Sequence, residues 1–247
     1  MKIAISQPTY LPWLGYFDLI DQVDTFVFLD DVQFEKQSWQ QRNRIKTPQG
    51  LQWLTVPVAF RGKLHQLIQD VEIRVPDFYE DHLRAMELNY RRAHFFQSYY
   101  ENLAKIVSSA GPLLAELNIR LIEWCMAVLG IRTPLVRSSD LKQEGKRTEL
   151  LAKICKSLNA SQYVSPMGAA VYLLREKDAL EKHGVEVVFQ NYMHPEYSQL
   201  FPPFVPYACI ADLLFNVGPD ALETIRSGRG APLHSEQVVS VEENSSG

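Results

Sequence analysis

The sequence predicts an α/β fold: a three-layer sandwich around a mostly parallel sheet, with a helical insertion. Three observations support this. A strand, a loop, a helix and a second strand fit within the first thirty residues, and a strand–helix–strand unit implies a parallel pair. Strands and helices alternate again from 132 to 189. Between these stretches, 78–129 carries mainly helical periodicity. The sheet is therefore Rossmann-like, with helices on both faces.

The elements follow in order. Ile3-Ala4-Ile5 reads as a buried parallel strand. Pro8 and Pro12 keep 7–12 irregular. Leu14, Phe17, Leu19 and Ile20 give 13–23 an apolar helical stripe. The β-branched and aromatic run 25–29 is a second strand. Polar residues 30–47 read as irregular, 53–58 and 71–75 as further strands, and 78–110 as helix in two pieces. The clearest helix is 112–129, with Pro112 at its start, six apolar residues at helical spacing and Gly130 at its end. A strand at 132–136 precedes a helix capped by Thr148 and stopped by a left-handed Asn159. A short strand at 162–164, a helix at 169–183 closed by Gly184 and a strand at 185–189 complete the pattern.

The chain has 247 residues, 46% hydrophobic and 22% charged, enough for one sizeable core. No Pro-, Gly- or Ser-rich linker interrupts it, so 1–226 reads as one domain and 227–247 as a disordered tail. The net charge of −4 supplies no basic field for nucleic acid. Cys125, Cys155 and Cys209 have neither zinc-site nor disulfide spacing and read as buried free thiols. The apolar run at the N-terminus is too short for a signal peptide, and no run can span a bilayer. These features describe a cytoplasmic protein with no membrane span.

Four stretches can carry chemistry. In an open α/β sheet, ligands bind beyond the carboxyl ends of the strands. The loop after the first strand puts Gln7, Thr9 and Tyr10 there, and the next helix aims its amides at the same place. Gly15 allows close approach and Tyr16 follows it; Tyr10 and Tyr16 can be core aromatics, but a loop this polar at a sheet edge favours a ligand-binding role. Asp30-Asp31-Val32-Gln33-Phe34 ends the second strand. One aspartate there can act as general base or orienting carboxylate, and the other as a cap or ion-pair partner. Lys36, Trp39, Arg42, Asn43 and Arg44 form a basic and aromatic patch able to grip phosphate, with Trp39 as a stacking platform. In the second half, Ser165 and Gly168 lie at a strand-to-helix turn, and Arg147 at a helix start. Gln190, Tyr192, His194 and Tyr197 follow a strand. His194 is a candidate general base without an assignable partner, or simply an exposed loop histidine. No Gly-x-Gly-x-x-Gly follows the first strand, and no phosphate loop, Gly-x-Ser-x-Gly elbow or His-Glu-x-x-His occurs. The sequence names no metal ligands and no cofactor. A nucleotide or other phosphate-bearing ligand fits the patch, with Mg²⁺ as a companion ion.

Met1-Lys2-Ile3-Ala4-Ile5-Ser6-Gln7-Pro8, Pro12-x-x-Gly15-Tyr16-Phe17, Asp30-Asp31-Val32-Gln33-Phe34 and Trp39-x-x-Arg42-Asn43-Arg44-Ile45 resemble the WbqC-like family. So do Arg137-Ser138-Ser139-Asp140-Leu141, Tyr163-x-Ser165-Pro166-x-Gly168 and Ile210-x-Asp212-Leu213-Leu214. The resemblance covers Met1 to about Gly218. It implies a bacterial biosynthetic protein: a transferase acting on a sugar, nucleotide-linked or related metabolite of a surface-polysaccharide or secondary-metabolite pathway. It carries over no catalytic residues. A weaker likeness joins Trp13-Leu14-Gly15-Tyr16 and Asp31-Val32-Gln33-Phe34 to pantothenate-synthetase-like nucleotidylyltransferases, which have His-x-Gly-His at the first place. Both histidines are absent here. The expectation is a small-molecule transferase. The alternatives are a ligand-binding scaffold that meets a biosynthetic protein partner, and a divergent nucleotidylyltransferase.

Overall fold

Strand β1 (Lys2–Ser6) sends Ile3 and Ile5 to one face of the sheet and Ala4 to the other, so both faces are apolar. A proline-stiffened loop leads into α1 (Leu14–Asp21), which returns the chain to β2 (Thr25–Phe28). These two strands pair in parallel, as the short strand–helix–strand spacing requires. The computed structural model describes residues 1–63, 65–176 and 178–238.

A long insertion follows β2. It opens with an antiparallel hairpin of β3 (Arg42–Thr47) and β4 (Gly50–Thr55) and continues as α2 (Tyr79–Tyr90), α3 (Phe96–Ser108) and α4 (Leu114–Leu129). Gly130 closes α4 at φ 77°, the left-handed conformation that glycine adopts without a Cβ clash. Strand β5 (Leu135–Arg137) then pairs with β2, and α5 (Ser138–Leu141) and α6 (Arg147–Ser157) lead to β6 (Gln162–Ser165) beside β1. Helices α7 (Ala170–Glu176) and α8 (Asp178–Glu181) precede β7 (Glu186–Phe189). Finally α9 (Ile210–Val217) and α10 (Ala221–Ser227) lead to β8 (Leu233–His234), antiparallel to β7.

The strand order is β5-β2-β1-β6-β7-β8. One face of the sheet, with Ala4, Phe26, Phe28, Val164 and Val188, packs on α1, α4, α9 and α10. The other, with Ile3, Ile5, Val27, Tyr163 and Phe189, packs on α6, α7 and α8. This is the expected three-layer α/β sandwich. A third core joins the hairpin to α2, α3, α4 and α9. Cys125, Cys155 and Cys209 are buried and free. No helix among the described residues is long and apolar enough to cross a membrane.

Several expectations need correction. The insertion begins with the hairpin rather than at 78: residues 42–47, read as irregular, form β3, because the hairpin hides their alternation against α2 and α9. Residues 71–75 make isolated bridges instead of a strand. The helix at 169–183 is interrupted, with 3-10 geometry at Met167–Ala169 before α7 and a separate α8. Thr148 lies inside α6 and donates its hydroxyl to Glu176, so it does not cap the helix. The stretch expected as tail from 227 is placed through Val238: Arg229 binds Asp18 and Asp21, β8 extends the sheet, and Val238 is buried. Residues 239–247 lie outside the described residues.

Candidate ligand-binding site

Pairing of β1 with β2 runs to Ser6↔Phe28, but pairing of β1 with β6 stops at Ile3↔Tyr163. The chain leaves β1 toward β2 on one side and leaves β6 toward β7 on the other. This is a topological switch point, where the connecting segments diverge and a crevice opens beyond the strand ends. A cavity of about 620 Å³ fills it. Gln7 and Thr9 after β1, Trp13, Gly15 and Tyr16 at the start of α1, and Tyr163, Pro166 and Gly168 around the end of β6 form its sheet side. Glu35, Ser38, Trp39, Gln40, Asn43 and Arg44 reach it from the insertion, and Gln190 and Tyr207 close it.

Hydrogen bonds fix the direction of every lining amide. The Glu35 backbone N–H donates to Gln40 Oε1 at 3.1 Å, so Gln40 Nε2 turns to Gln7 Oε1 at 2.8 Å. Gln7 Nε2 is left as a donor with no partner among the described residues. Gln190 Nε2 donates to the Gly15 carbonyl (2.8 Å) and to Asp18 Oδ2 (2.7 Å), both pure acceptors. Gln190 Oε1 is therefore the free end. Asn43 spends its NH₂ on the Tyr10 and Leu11 carbonyls and accepts from the Arg44 N–H. These bonds, with Asn118 donating to the Pro8 and Gln40 carbonyls, hold the 7–12 loop with Leu11 at φ 44°. A left-handed, fully buried leucine persists only when its surroundings over-determine it.

Arg44 lies in an aromatic stack. Its guanidinium carbon is 5.3 Å from the centroids of both Trp39 and Trp53, and Arg42 lies 4.3 Å from Trp53. Both indoles are nearly half exposed. Arg44 Nη2 reaches the Tyr207 carbonyl at 3.4 Å, and its buried Nε has no partner. Gly15 has a different role from the one the sequence suggests. A Cβ there would lie 2.3 Å from Trp13 Cη2. The missing side chain makes room for the Trp13 indole, which walls the cavity.

Of the sequence-predicted residues, the structure brings Gln7, Thr9, Gly15, Tyr16, Trp39, Asn43, Arg44, Gly168 and Gln190 together at the cavity. It places the others elsewhere. Asp30 is fully buried and its oxygens accept from Arg137 Nε (2.7 Å), Ser139 Oγ (3.0 Å), Ser139 N (3.1 Å) and Ser138 Oγ (3.2 Å). It is a clamp between β2 and β5, with no lone pair left for a substrate proton. Asp31 accepts from Ser138 Oγ, away from the cavity lining. Tyr10 is fully buried: its hydroxyl hydrogen-bonds His82 Nδ1 at 2.8 Å, and burial drives its pKa far up. Ser165 is buried and donates to the Pro166 carbonyl. Tyr197 donates to Asp212. Gln33 bridges to Leu67, Lys36 lies over Phe60, and Arg147 extends into solvent 3.9 Å from Glu176. His194 is half buried among Trp13, Tyr197, Phe204 and Tyr207, with Nδ1 on the Pro195 carbonyl. Burial lowers its pKa, and Trp13 and Tyr207 separate it from the cavity.

Two buried carboxylates organise polar contacts inside the core; Asp18 stands in no motif, and Asp212 lies in Ile210-x-Asp212-Leu213-Leu214. Asp18, fully buried on α1, binds Arg229 at 2.6 Å and orients Gln190. Asp212 accepts from Tyr90, Tyr197 and Gln199, and burial raises its pKa. Each is an acidic residue inside an apolar helix stripe, and that mismatch is the signal that can reveal them.

The fold and crevice define an α/β protein with a cavity at the switch point of its sheet. The chain belongs to the WbqC-like protein family, whose model matches residues 7–224. It is 41% identical over 227 residues to Rv1507c, an uncharacterized protein of Mycobacterium tuberculosis, across 91% of this chain and 97% of that protein. No solved structure matches it.

Proposed function

We propose that this protein is a biosynthetic small-molecule transferase, acting in the bacterial cytoplasm on a sugar, nucleotide-linked or related metabolite. The observation that supports it best is the cavity at the switch point. There, fixed amide ends, aromatic walls and one guanidinium with unused donor capacity converge. Aromatic faces stack on sugar or base rings, and Arg44 neutralises a phosphate. Among the described residues Glu35 is the lining carboxylate without a partner, and it takes the orienting or proton-accepting role expected of the Asp30-Asp31 pair. The WbqC-like relationship carries the association with polysaccharide or secondary-metabolite pathways.

The test is a thermal-shift screen against nucleotides, nucleotide sugars, acyl carriers and amino acids, with and without Mg²⁺. A ligand at about a hundred times its dissociation constant adds roughly 2.7 kcal/mol of stability. The expected result is a clear shift with nucleotide sugars or sugar phosphates that Arg44→Ala abolishes. A screen without any shift refutes the reading and favours a scaffold that binds a protein partner.

A further inference from the structure

Four side chains that line the cavity have bonding capacity that no described residue uses. Gln7 Nε2 and Arg44 Nη1 are donors; Gln190 Oε1 and the Glu35 carboxylate are acceptors. Glu35 engages its neighbours only through its backbone, donating N–H to Gln40 and accepting from Ser38 Oγ at its carbonyl. Glu35 and Arg44 line the same cavity without forming an ion pair with each other or with any other described residue.

Each half of this set specifies a ligand group. Two donors and a positive charge suit an anionic, oxygen-rich group. Two acceptors and a negative charge suit a group that brings several N–H donors and a positive charge. A hydroxyl can satisfy Gln190 but brings no positive charge to the Glu35 carboxylate, whereas a protonated amine brings both N–H donors and the charge. We propose that the ligand carries a free ammonium group together with a phosphate, and that it is an amino sugar phosphate or its nucleotide. This rests on the cavity reading above and adds the amine. Size favours the sugar: about 620 Å³ suits a ligand of several rings, and an amino acid leaves most of it empty.

Isothermal titration of the full chain with glucosamine 1-phosphate and glucose 1-phosphate tests this, because the two differ only in one ammonium. Wild type is expected to bind the amino sugar about tenfold or more tightly, the worth of one charge-assisted hydrogen bond. Glu35→Gln should level the two affinities without weakening glucose 1-phosphate, and its exposed side chain leaves folding intact. Arg44→Ala should weaken both alike. Alanine, with both charges on a small frame, should bind more weakly than glucosamine 1-phosphate; the reverse order overturns the sugar phosphate. Equal wild-type affinities, or a preference that survives Glu35→Gln, overturn the ammonium assignment and leave the cavity reading standing. If neither sugar phosphate binds, the amino sugar phosphate falls, and the cavity reading falls with it only where the wider nucleotide screen also gives no shift.

Discussion

Replacing Asp30 with alanine separates an anchor from a base. The carboxylate is fully buried and accepts four hydrogen bonds, one of them charged, from Arg137, Ser138 and Ser139. Removing one partner of a buried ion pair costs about 3–5 kcal/mol, mostly from the charge left behind. Here Arg137 keeps Glu116 at 2.6 Å and its side chain is 28% exposed, so part of that penalty is relieved. The expected loss is therefore at the low end, about 3 kcal/mol. For a chain of this size that lowers the melting temperature by roughly 6–12 °C. Asp31→Ala loses one hydrogen bond at a half-exposed site, and should cost under about 1 kcal/mol. Urea denaturation of both variants, with m-values compared to confirm two-state unfolding, measures the difference. An Asp30→Ala cost below that of Asp31→Ala would refute the clamp and return Asp30 to the list of free carboxylates.

Two further outcomes follow from the geometry. Gly15→Ala places a methyl where the Trp13 ring lies, so the indole must swing away; the expected effect is a loss of about 1–3 kcal/mol and weakened ligand binding, and a thermal-shift titration with unchanged affinity would contradict it. His82 accepts from Tyr10 and donates to the Thr55 carbonyl, and burial first of all pulls its pKa down to about 4. Above pH ~6.5 it is neutral in both folded and unfolded chains and has no effect. Between ~6.5 and ~4 only the unfolded chain takes the proton, so stability falls with pH by up to about 3 kcal/mol, and the loss levels off below. Denaturation curves across this range should lose that slope in His82→Gln; an identical slope would reassign it to other groups.

Local pattern made the sheet legible. Ile3-Ala4-Ile5, the apolar stripe of α1 and Thr25–Phe28 mark a parallel unit, and the expectation that ligands bind beyond β1 follows from topology alone. Gln7 is legible for that reason, and Trp39 and Arg44 from their place in a basic, aromatic run. The other half of the crevice was not. Which strand flanks β1 on its second side depends on β6, more than 130 residues away, and on a pairing that ends early at Ile3↔Tyr163. A separation of more than a hundred residues likewise hid Asp30: its partners Arg137, Ser138 and Ser139 sit at the end of β5 and the start of α5, and no spacing rule connects them. Gln190 stood out only as a polar residue after a strand, and Glu35 looked like an ordinary polar loop residue. Their importance lies in the bonds their neighbours have already spent, which depend on side-chain orientation.

The crevice divides its work between two bodies. The sheet side supplies Gln7 and Gln190, whose free ends are fixed by buried bonds to Gln40, Gly15 and Asp18, so their hydrogen-bonding directions are set before a ligand arrives. The insertion supplies the charges and the stacking face: Glu35 and Trp39 from the segment before the hairpin and Arg44 from β3, with Trp53 of β4 stacked beside Arg44. The loop joining β1 to α1 locks one to the other through Asn43, Asn118 and the Tyr10 N–H on the Trp39 carbonyl. Fixed amides lose little entropy on binding, so they suit discrimination between similar hydroxyl patterns. Charges on a separate body can be changed without disturbing the sheet. Substitutions in the hairpin should therefore change which charged groups are accepted, while substitutions at Gln7, Gln190 or Asp18 should weaken every ligand together.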